Sequence, residues 1–114
     1  MKEIEINGVI YVPKSGVEKP DGDYVVVRTY SAGVHAGHLE SRDGKEVVLT
    51  NVRRLWYWKG AASLSQLAGT GTSAPEDCKF PAPIATITLT EAIEIIPCTK
   101  QAQEIIESVE EWVQ

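Results

Sequence analysis

The chain has little cysteine and no long apolar run. Cys78 and Cys98 are its only cysteines among 114 residues, too few for a disulfide framework, so both are expected to be free thiols in a reducing compartment. No apolar run approaches the roughly 20 residues of a membrane span, and the opening segment MKEIEINGVIYV lacks the features of a signal peptide. We therefore predict a soluble cytoplasmic protein with no membrane partner. Its size and its 43% apolar composition predict a single domain over residues 1–114.

Basic residues are also few, and they are unevenly placed. The net charge is −5, but residues 24–59 carry a local charge of +3 and residues 91–114 a local charge of −5. A surface that binds DNA or RNA needs a strongly basic protein or a long basic stripe, so we expect no nucleic-acid partner. The local basic segment leaves room for a small anionic ligand.

Residues with catalytic or metal-binding chemistry are scarce. His35 and His38 are three apart in a predicted strand, so they point to opposite faces, and no CxxC pair accompanies them. Ser31 lies near His35, but no orienting acid is marked and no nucleophile-elbow pattern surrounds the serine. We expect no catalytic residue, no metal and no cofactor, and so no enzyme.

Alternating apolar residues predict a β-rich fold. The segment EIEINGVIYVP predicts two short strands around Asn7-Gly8, followed by a polar surface connection over residues 13–23. Four strands follow, YVVVRTY, VHAGHLES, KEVVLT and VRRLWYW, with a turn at Thr50-Asn51 before the last of them. The segments ATITL and AIEIIP predict one or two more strands, and the short connections favour an antiparallel meander.

Two helices are predicted towards the C-terminus. Ser63 and Gln66 fit a capping box, which predicts a short helix over residues 64–68 that ends at Gly69. The tail TKQAQEIIESVEEWVQ has apolar residues at helical spacing as far as Trp112 and Val113, with Thr99 as its cap. The predicted fold class is α+β: a mostly antiparallel sheet of about six strands with one short and one long C-terminal helix.

The first candidate binding residues are at the end of the strand YVVVRTY. Alternation places Arg28 and Tyr30 on the same side, beside a run of small residues that begins at Ser31. A guanidinium group binds phosphate with two hydrogen bonds, and tyrosine offers a ring face and a hydroxyl, which together suit a nucleotide. The alternative is that Arg28 only pairs with an acidic residue on the sheet surface.

The segment SAGVHAGH is unusually rich in small residues. Gly33 and Gly37 allow backbone N–H groups to approach a ligand or a second chain, or they mark a bend or bulge in a strand. The candidate ligand-binding residues in this segment are Ser31, Gly33, His35, Ala36 and Gly37.

The segment RRLWYWKG concentrates arginine and aromatic residues. Alternation puts Arg53 on one side and Arg54 and Trp56 on the other, so both sides carry an arginine and aromatic rings. One side is expected to enter the core and the other to meet a ligand or a partner subunit, since arginine and tryptophan are enriched at interface hot spots. Packing of both sides in the core is the alternative. Arg53, Arg54 and Trp56 complete the candidate binding set.

Several strings in the chain resemble a known family. RTYSAGVHAGHL, GKEV, RRLWYWKGAASLSQLA and LTEAIEIIPC, together spanning most of residues 24–100, are similar to small phage and prophage proteins catalogued as a domain of unknown function. Within these the chain resembles the Thoeris anti-defence proteins of the first type, which act as sponges for nucleotide signals.

That resemblance implies a function in the cytosol of an infected host cell. The protein would sequester cyclic ADP-ribose isomers without cleaving them, and could hold cyclic oligonucleotides of the CBASS defence at separate sites. The resemblance also implies self-association as a dimer or a hexamer, with a small cyclic nucleotide as the other partner. The alternative function is a protein-binding module, such as an inhibitor of a host protein or a minor phage structural component.

Overall fold

A computed structural model describes residues 4–6, 9–11 and 20–113 of the chain. Strands β1 (Ile4–Ile6) and β2 (Val9–Tyr11) form an antiparallel pair with Ile4 opposite Tyr11. This pair confirms the two predicted opening strands, whereas the predicted turn at Asn7-Gly8 lies outside the described residues. Most of the surface connection predicted over residues 13–23 also lies outside them, and its last residues, from Pro20 onward, belong to the next strand.

Five further strands form one antiparallel sheet. They are β3 (Pro20–Thr29), β4 (Val34–Asp43), β5 (Glu46–Arg54), β6 (Ile84–Leu89) and β7 (Ala92–Thr99). The order across the sheet is β6-β5-β4-β3-β7. Strands β3, β4 and β5 are joined by short connections, as predicted, whereas the longer segment of residues 55–83 leads from β5 to β6. Strand β7 returns to pair with β3 at the opposite edge.

The sheet is curled. Strands β6 and β7 occupy its two edges, yet only Thr90 and Glu91 separate them in the chain. Side chains from both edge strands, including Leu89 and Ala92, pack in one cluster with Val27, Val47 and Leu49 from the inner strands. Two edges can share a cluster only if the sheet bends round on itself, so this cluster fills the concave side.

The convex side of the sheet is covered by two helices. Helix α1 (Leu64–Thr70) and helix α2 (Lys100–Ser108) contribute Leu67, Ala102 and Ile106 to a second cluster that includes Tyr24 and Val26 of β3. Alternate residues of β3 thus enter different clusters, which explains why YVVV is apolar at every position. The α+β class, the antiparallel sheet and the short and longer C-terminal helices are confirmed.

The predicted turn at Thr50-Asn51 is wrong. The segments KEVVLT and VRRLWYW were expected to form two strands, but residues 46–54 form the single strand β5. Asn51 has a positive φ of 45° within it, and the pairing of β4 with β5 shifts register opposite, between Ala36 and His38. Asparagine tolerates this conformation and here produces a bulge rather than a chain reversal. The sheet accordingly has five strands.

Both helix ends also differ from the predictions. Helix α1 continues past Gly69 to Thr70, and Gly71, with φ of 79°, is its C-cap. Helix α2 ends at Ser108 although the apolar spacing continues to Val113. The N–H groups of Arg53 donate to the carbonyl oxygens of Ile106 and Val109, at 3.1 and 2.9 Å. An arginine that satisfies the last carbonyls of a helix stabilises its end there.

Candidate functional site

Arg53 and Arg54 have opposite surroundings. Arg53 is 3% exposed and donates four hydrogen bonds to main-chain carbonyl oxygens, two at the end of α2 and two in residues 80–81. Desolvation by burial lowers the pKa of Arg53, and the negative charges of Glu107 and Glu111 oppose that shift. All of its hydrogen-bonding nitrogens serve the fold, so the structure places Arg53 away from the exposed candidates.

Arg54 is exposed and lies beside the small-residue segment. Its guanidinium donates to the carbonyl oxygen of Ala32 at 2.6 Å. Gly33 has a positive φ of 86°, which favours glycine, and a Cβ at this position would make only an ordinary contact of 3.6 Å with the guanidinium. The turn itself is fixed by Thr29, whose hydroxyl donates to the Gly33 carbonyl at 2.8 Å and accepts from the N–H of Ala32. The exposed residues Ser31 and Gly33 therefore stand next to a held cation.

His35 lies directly opposite Arg54 in the pairing of β4 with β5. Directly opposed residues of an antiparallel pair project to the same face, and both side chains line a cavity of about 220 Å³. The remaining wall is apolar and includes residues that the sequence did not indicate: Val52, Pro81, Ala82, Ile84 and Ile87. We call this the β4–β6 cavity.

His35 is 1% exposed, and neither of its ring nitrogens has a hydrogen-bond partner among the described residues. Burial, and secondarily the positive charge of Arg54, lowers its pKa to about 4. The imidazole is therefore neutral at pH 7, with one nitrogen that donates and one that accepts. The lining of the β4–β6 cavity thus includes a neutral imidazole, whose buried nitrogens have no partner among the described residues, beside a guanidinium.

The other residues of the small segment belong to the core. Ala36 is fully buried on the convex side, and a Cβ on Gly37 would lie 2.8 Å from Cβ of Val52. Of the two explanations considered for Gly37, the bulge is the one that the structure shows. His38 faces the side opposite His35, where it contacts the Tyr24 ring and the Asp23 carboxylate, which confirms the predicted opposite orientation of the two histidines.

Arg28 and Tyr30 are both exposed but are not part of the β4–β6 cavity lining. Arg28 Nε lies 3.3 Å from Glu94 Oε1 on β7, the surface ion pair that was the alternative for this residue. Tyr30 is 77% exposed and lies after the end of β3, so strand alternation does not fix its direction. Arg28 is opposite Val34 and Arg54 is opposite His35, which places the two arginines on opposite faces of the sheet.

Trp56 belongs to a separate exposed cluster. Its ring stacks on that of Trp112, with centroids 4.9 Å apart and planes 9° apart. Lys79 Nζ lies 5.5 to 5.7 Å from the ring centroids of Trp56, Trp112 and Tyr57, within the range of cation–π attraction. We call these four residues the aromatic patch. Only Trp56 was a sequence candidate, because helical spacing assigned Trp112 to a core stripe.

Two classes of site receive no support from the described residues. No group of three or more His, Cys, Asp or Glu side chains among them is placed to hold a metal ion. Neither helix in the described ranges has the length and apolar character that crossing a membrane requires.

Cys78 and Cys98 are buried free thiols, and burial raises the pKa of Cys98 to about 12.

Fold and cavity define a small α+β domain with a curled antiparallel sheet and a polar group buried in an apolar recess. A family model described as a domain of unknown function, DUF6948, matches residues 22–106, and the chain belongs to this family. No curated protein and no solved structure matches the chain. The resemblance to a domain of unknown function is thus confirmed, while the family description carries no link to Thoeris anti-defence proteins.

Proposed function

We propose that the protein is a non-catalytic sponge that binds and sequesters cyclic ADP-ribose-type nucleotides, with cyclic oligonucleotides of the CBASS defence as further ligands. The single observation that carries the proposal is the β4–β6 cavity, where the exposed cation of Arg54 stands beside the buried and unpartnered ring of His35. The sponge identity and the host cytosol as its location come from the resemblance of the sequence.

Arg54 supplies the phosphate contact in this proposal. One of its guanidinium nitrogens is held by the Ala32 carbonyl, which fixes the group, while the residue remains exposed to solvent. A fixed guanidinium binds two phosphate oxygens at once, and its side chain has already lost part of its freedom before the ligand arrives. The small side chains of Ser31 and Ala32 allow a bulky sugar to approach.

Sequestration of a ligand depends on how completely the protein encloses it and requires no reactive groups. Nanomolar capture corresponds to about −12 kcal/mol, which one shallow site on a small domain supplies with difficulty. We therefore propose that the protein acts as a dimer or a higher oligomer in which a second copy adds contacts.

The edge strand β6 is the surface that best suits such self-association. Its segment IATITL contains no charged residue and no proline, and Ile84 is 52% exposed. The other edge strand, β7, carries Glu94 and Pro97, which hinder pairing with a further strand. Because β6 is uncharged, a second β6 meets no like charge, and Ile84 and Ile87 also line the β4–β6 cavity.

Recovery of intact ligand tests the proposal. The protein is incubated with a panel of cyclic ADP-ribose isomers and cyclic di- and trinucleotides, separated from free ligand, and heated to release what it holds. Intact nucleotide in the released fraction is expected. Absence of binding to every member of the panel contradicts the proposal, and a cleaved product would indicate an enzyme instead.

Arg54→Ala is the matched variant for this assay. Loss of a charge-assisted hydrogen bond costs about 1.5–3 kcal/mol, so the affinity should fall about 10- to 150-fold. Arg42→Ala is the control, because Arg42 is an exposed arginine whose side chain, within the described part of the chain, donates to the Gly44 carbonyl of its own turn. Equal effects of the two substitutions would show that overall charge, and not this site, governs binding.

The aromatic patch favours a second candidate function, a protein-binding module. Trp56 and Tyr57 are 58% and 45% exposed, and exposed aromatic side chains that are already fixed are typical of interface hot spots. Under this alternative, Trp56→Ala abolishes binding of a purified partner and leaves nucleotide affinity unchanged. Under the sponge proposal with stacking on Trp56, the same variant loses about 1–3 kcal/mol of nucleotide binding.

A further inference from the structure

We infer that the β4–β6 cavity receives an uncharged heterocyclic ring of the ligand, such as a nucleobase, which His35 recognises by hydrogen bonding while the phosphates remain outside at Arg54. The inference rests on the proposed function and deepens it, because it assigns His35 as the residue that reads the ring. It concerns the orientation of the ligand, which the family resemblance does not supply.

The state of His35 is the first observation. Buried polar groups are nearly always hydrogen-bonded, and leaving one unsatisfied destabilises the fold. His35 has two unpartnered nitrogens at 1% exposure, and both belong to a side chain that lines a cavity. A leucine or valine would fill the same strand position without this cost, and the cavity that His35 lines is where we place a partner for the imidazole.

The wall of the cavity decides which group enters. Apart from His35 and Arg54 it is made by Val52, Pro81, Ala82 and two isoleucines. A phosphate moved among such side chains loses its hydration without adequate compensation, whereas the faces of a planar ring gain from contact with them. The anionic part of a nucleotide therefore stays with Arg54, which is exposed, and the ring lies against the apolar wall.

Protonation favours the same arrangement. His35 is uncharged at neutral pH, because burial and the neighbouring Arg54 both oppose its protonation. A neutral imidazole attracts no anion, but it can donate to a ring nitrogen or carbonyl and accept from an amino or hydroxyl group. These are the groups at the edges of nucleobases and on ribose.

The volume limits how much of the ligand is enclosed. Pockets that hold a complete small-molecule ligand usually have about 300–1,000 Å³, whereas this cavity has about 220 Å³. It suits one ring and not a cyclic dinucleotide or cyclic ADP-ribose as a whole. The remaining sugar and phosphate groups would lie over the Ser31–Gly33 turn, next to the fixed guanidinium.

Nitrogen-15 NMR of the two histidines tests the inference. The unmodified protein is titrated separately with adenosine, ribose 5-phosphate and inorganic pyrophosphate, and the ring nitrogen shifts of His35 and His38 are followed. Adenosine should move the His35 nitrogens and leave His38, which pairs with Asp23 on the other face, as the internal control. Pyrophosphate should leave both rings unchanged.

Two variants separate the roles of the two residues. His35→Phe keeps a ring but removes both nitrogens, so adenosine affinity should fall about fivefold, the value of one neutral hydrogen bond, while pyrophosphate affinity stays unchanged. Arg54→Ala should produce the reverse pattern. If His35→Phe fails to fold, the titration of the unmodified protein still decides the question.

The outcomes keep this inference apart from the proposed function. If a cyclic nucleotide binds and the His35 nitrogens do not respond, the ring lies elsewhere and the inference fails while the sponge proposal stands. If adenosine moves the His35 nitrogens but no cyclic nucleotide is held, the sponge proposal fails and the inference stands. A third outcome is that the His35 nitrogen shifts show hydrogen bonding in the free protein and do not change on titration. His35 would then be a core residue that bonds to water, and the inference is overturned.

Discussion

At the scale of single residues, two neighbouring arginines perform different tasks. Arg53 ties β5 to the end of α2 and to residues 80–81 through four carbonyl oxygens, whereas Arg54 faces solvent with a single such bond. Strand alternation predicted that the two would lie on opposite sides. It did not indicate which of them is buried, because that depends on carbonyl groups far away in the chain.

This difference gives the first prediction. Arg53→Ala leaves several buried carbonyl groups without a donor and removes charge-assisted bonds, so it should lower the free energy of unfolding by at least about 3 kcal/mol. Arg54→Ala should lower it by less than about 1 kcal/mol, since the side chain is exposed. Urea denaturation measures the free energy of unfolding of both variants. Similar losses of stability would show that Arg53 does not hold β5 to the end of α2 and to residues 80–81.

His35 gives a prediction for pH. At pH 7 its imidazole is neutral in the folded chain and mostly neutral in the unfolded chain. Between pH 6.5, the ordinary pKa, and about pH 4, the lowered value, His35 is protonated in the unfolded chain but not in the folded chain. The free energy of unfolding therefore falls as the pH falls. The contribution lost by pH 4 is about 3 kcal/mol. The measurement is the free energy of unfolding of the native chain and of His35→Phe at several pH values. The difference between the two should change by this amount between pH 7 and pH 4, and a difference that does not depend on pH would contradict the prediction.

At the scale of elements, the bulge between β4 and β5 explains the need for a glycine at position 37. Gly37→Ala would place its Cβ 2.8 Å from Cβ and 2.9 Å from Cα of Val52. We predict a loss of about 1–3 kcal/mol from overpacking. Gly69→Ala is the control: Gly69 lies inside α1 with open space around it, so alanine should raise stability by about 0.5–1 kcal/mol. Thermal unfolding of both proteins compares them.

The elements show where sequence patterns sufficed and where they failed. Alternation located the strands, the serine and threonine caps located the starts of both helices, and Arg54 and His35 were recognised as candidates. Asn51 looked like a turn because its residue type fits a turn and a bulge equally well. Trp112 looked helical because the tail keeps its spacing, although Arg53 ends α2 earlier. The apolar cavity wall depends on the register between β5 and β6, which no local pattern encodes.

At the scale of the whole molecule, the two edges of the sheet are unequally protected. We predict that the protein self-associates through β6 and that Thr86→Lys, which adds a charge to this edge, converts the oligomer to a monomer. Ile93→Lys adds the same charge at an exposed position on β7 and should leave the mass unchanged. Light scattering after size-exclusion chromatography measures both. A native chain that is monomeric, or an oligomer that only Ile93→Lys dissociates, refutes this assignment.

The pairing of β3 with β7 also determines how synthesis and folding proceed together. Val27 pairs with Ile95, so while a ribosome makes the chain, strands β3 to β5 are synthesised well before β7, the partner that completes β3. During that interval the valine-rich side of β3 has an open ladder of backbone groups, the kind of exposed edge that attracts other nascent chains. Productive folding therefore depends on β7, because until its residues 92–99 are free to pair, β3 lacks its second neighbour in the sheet.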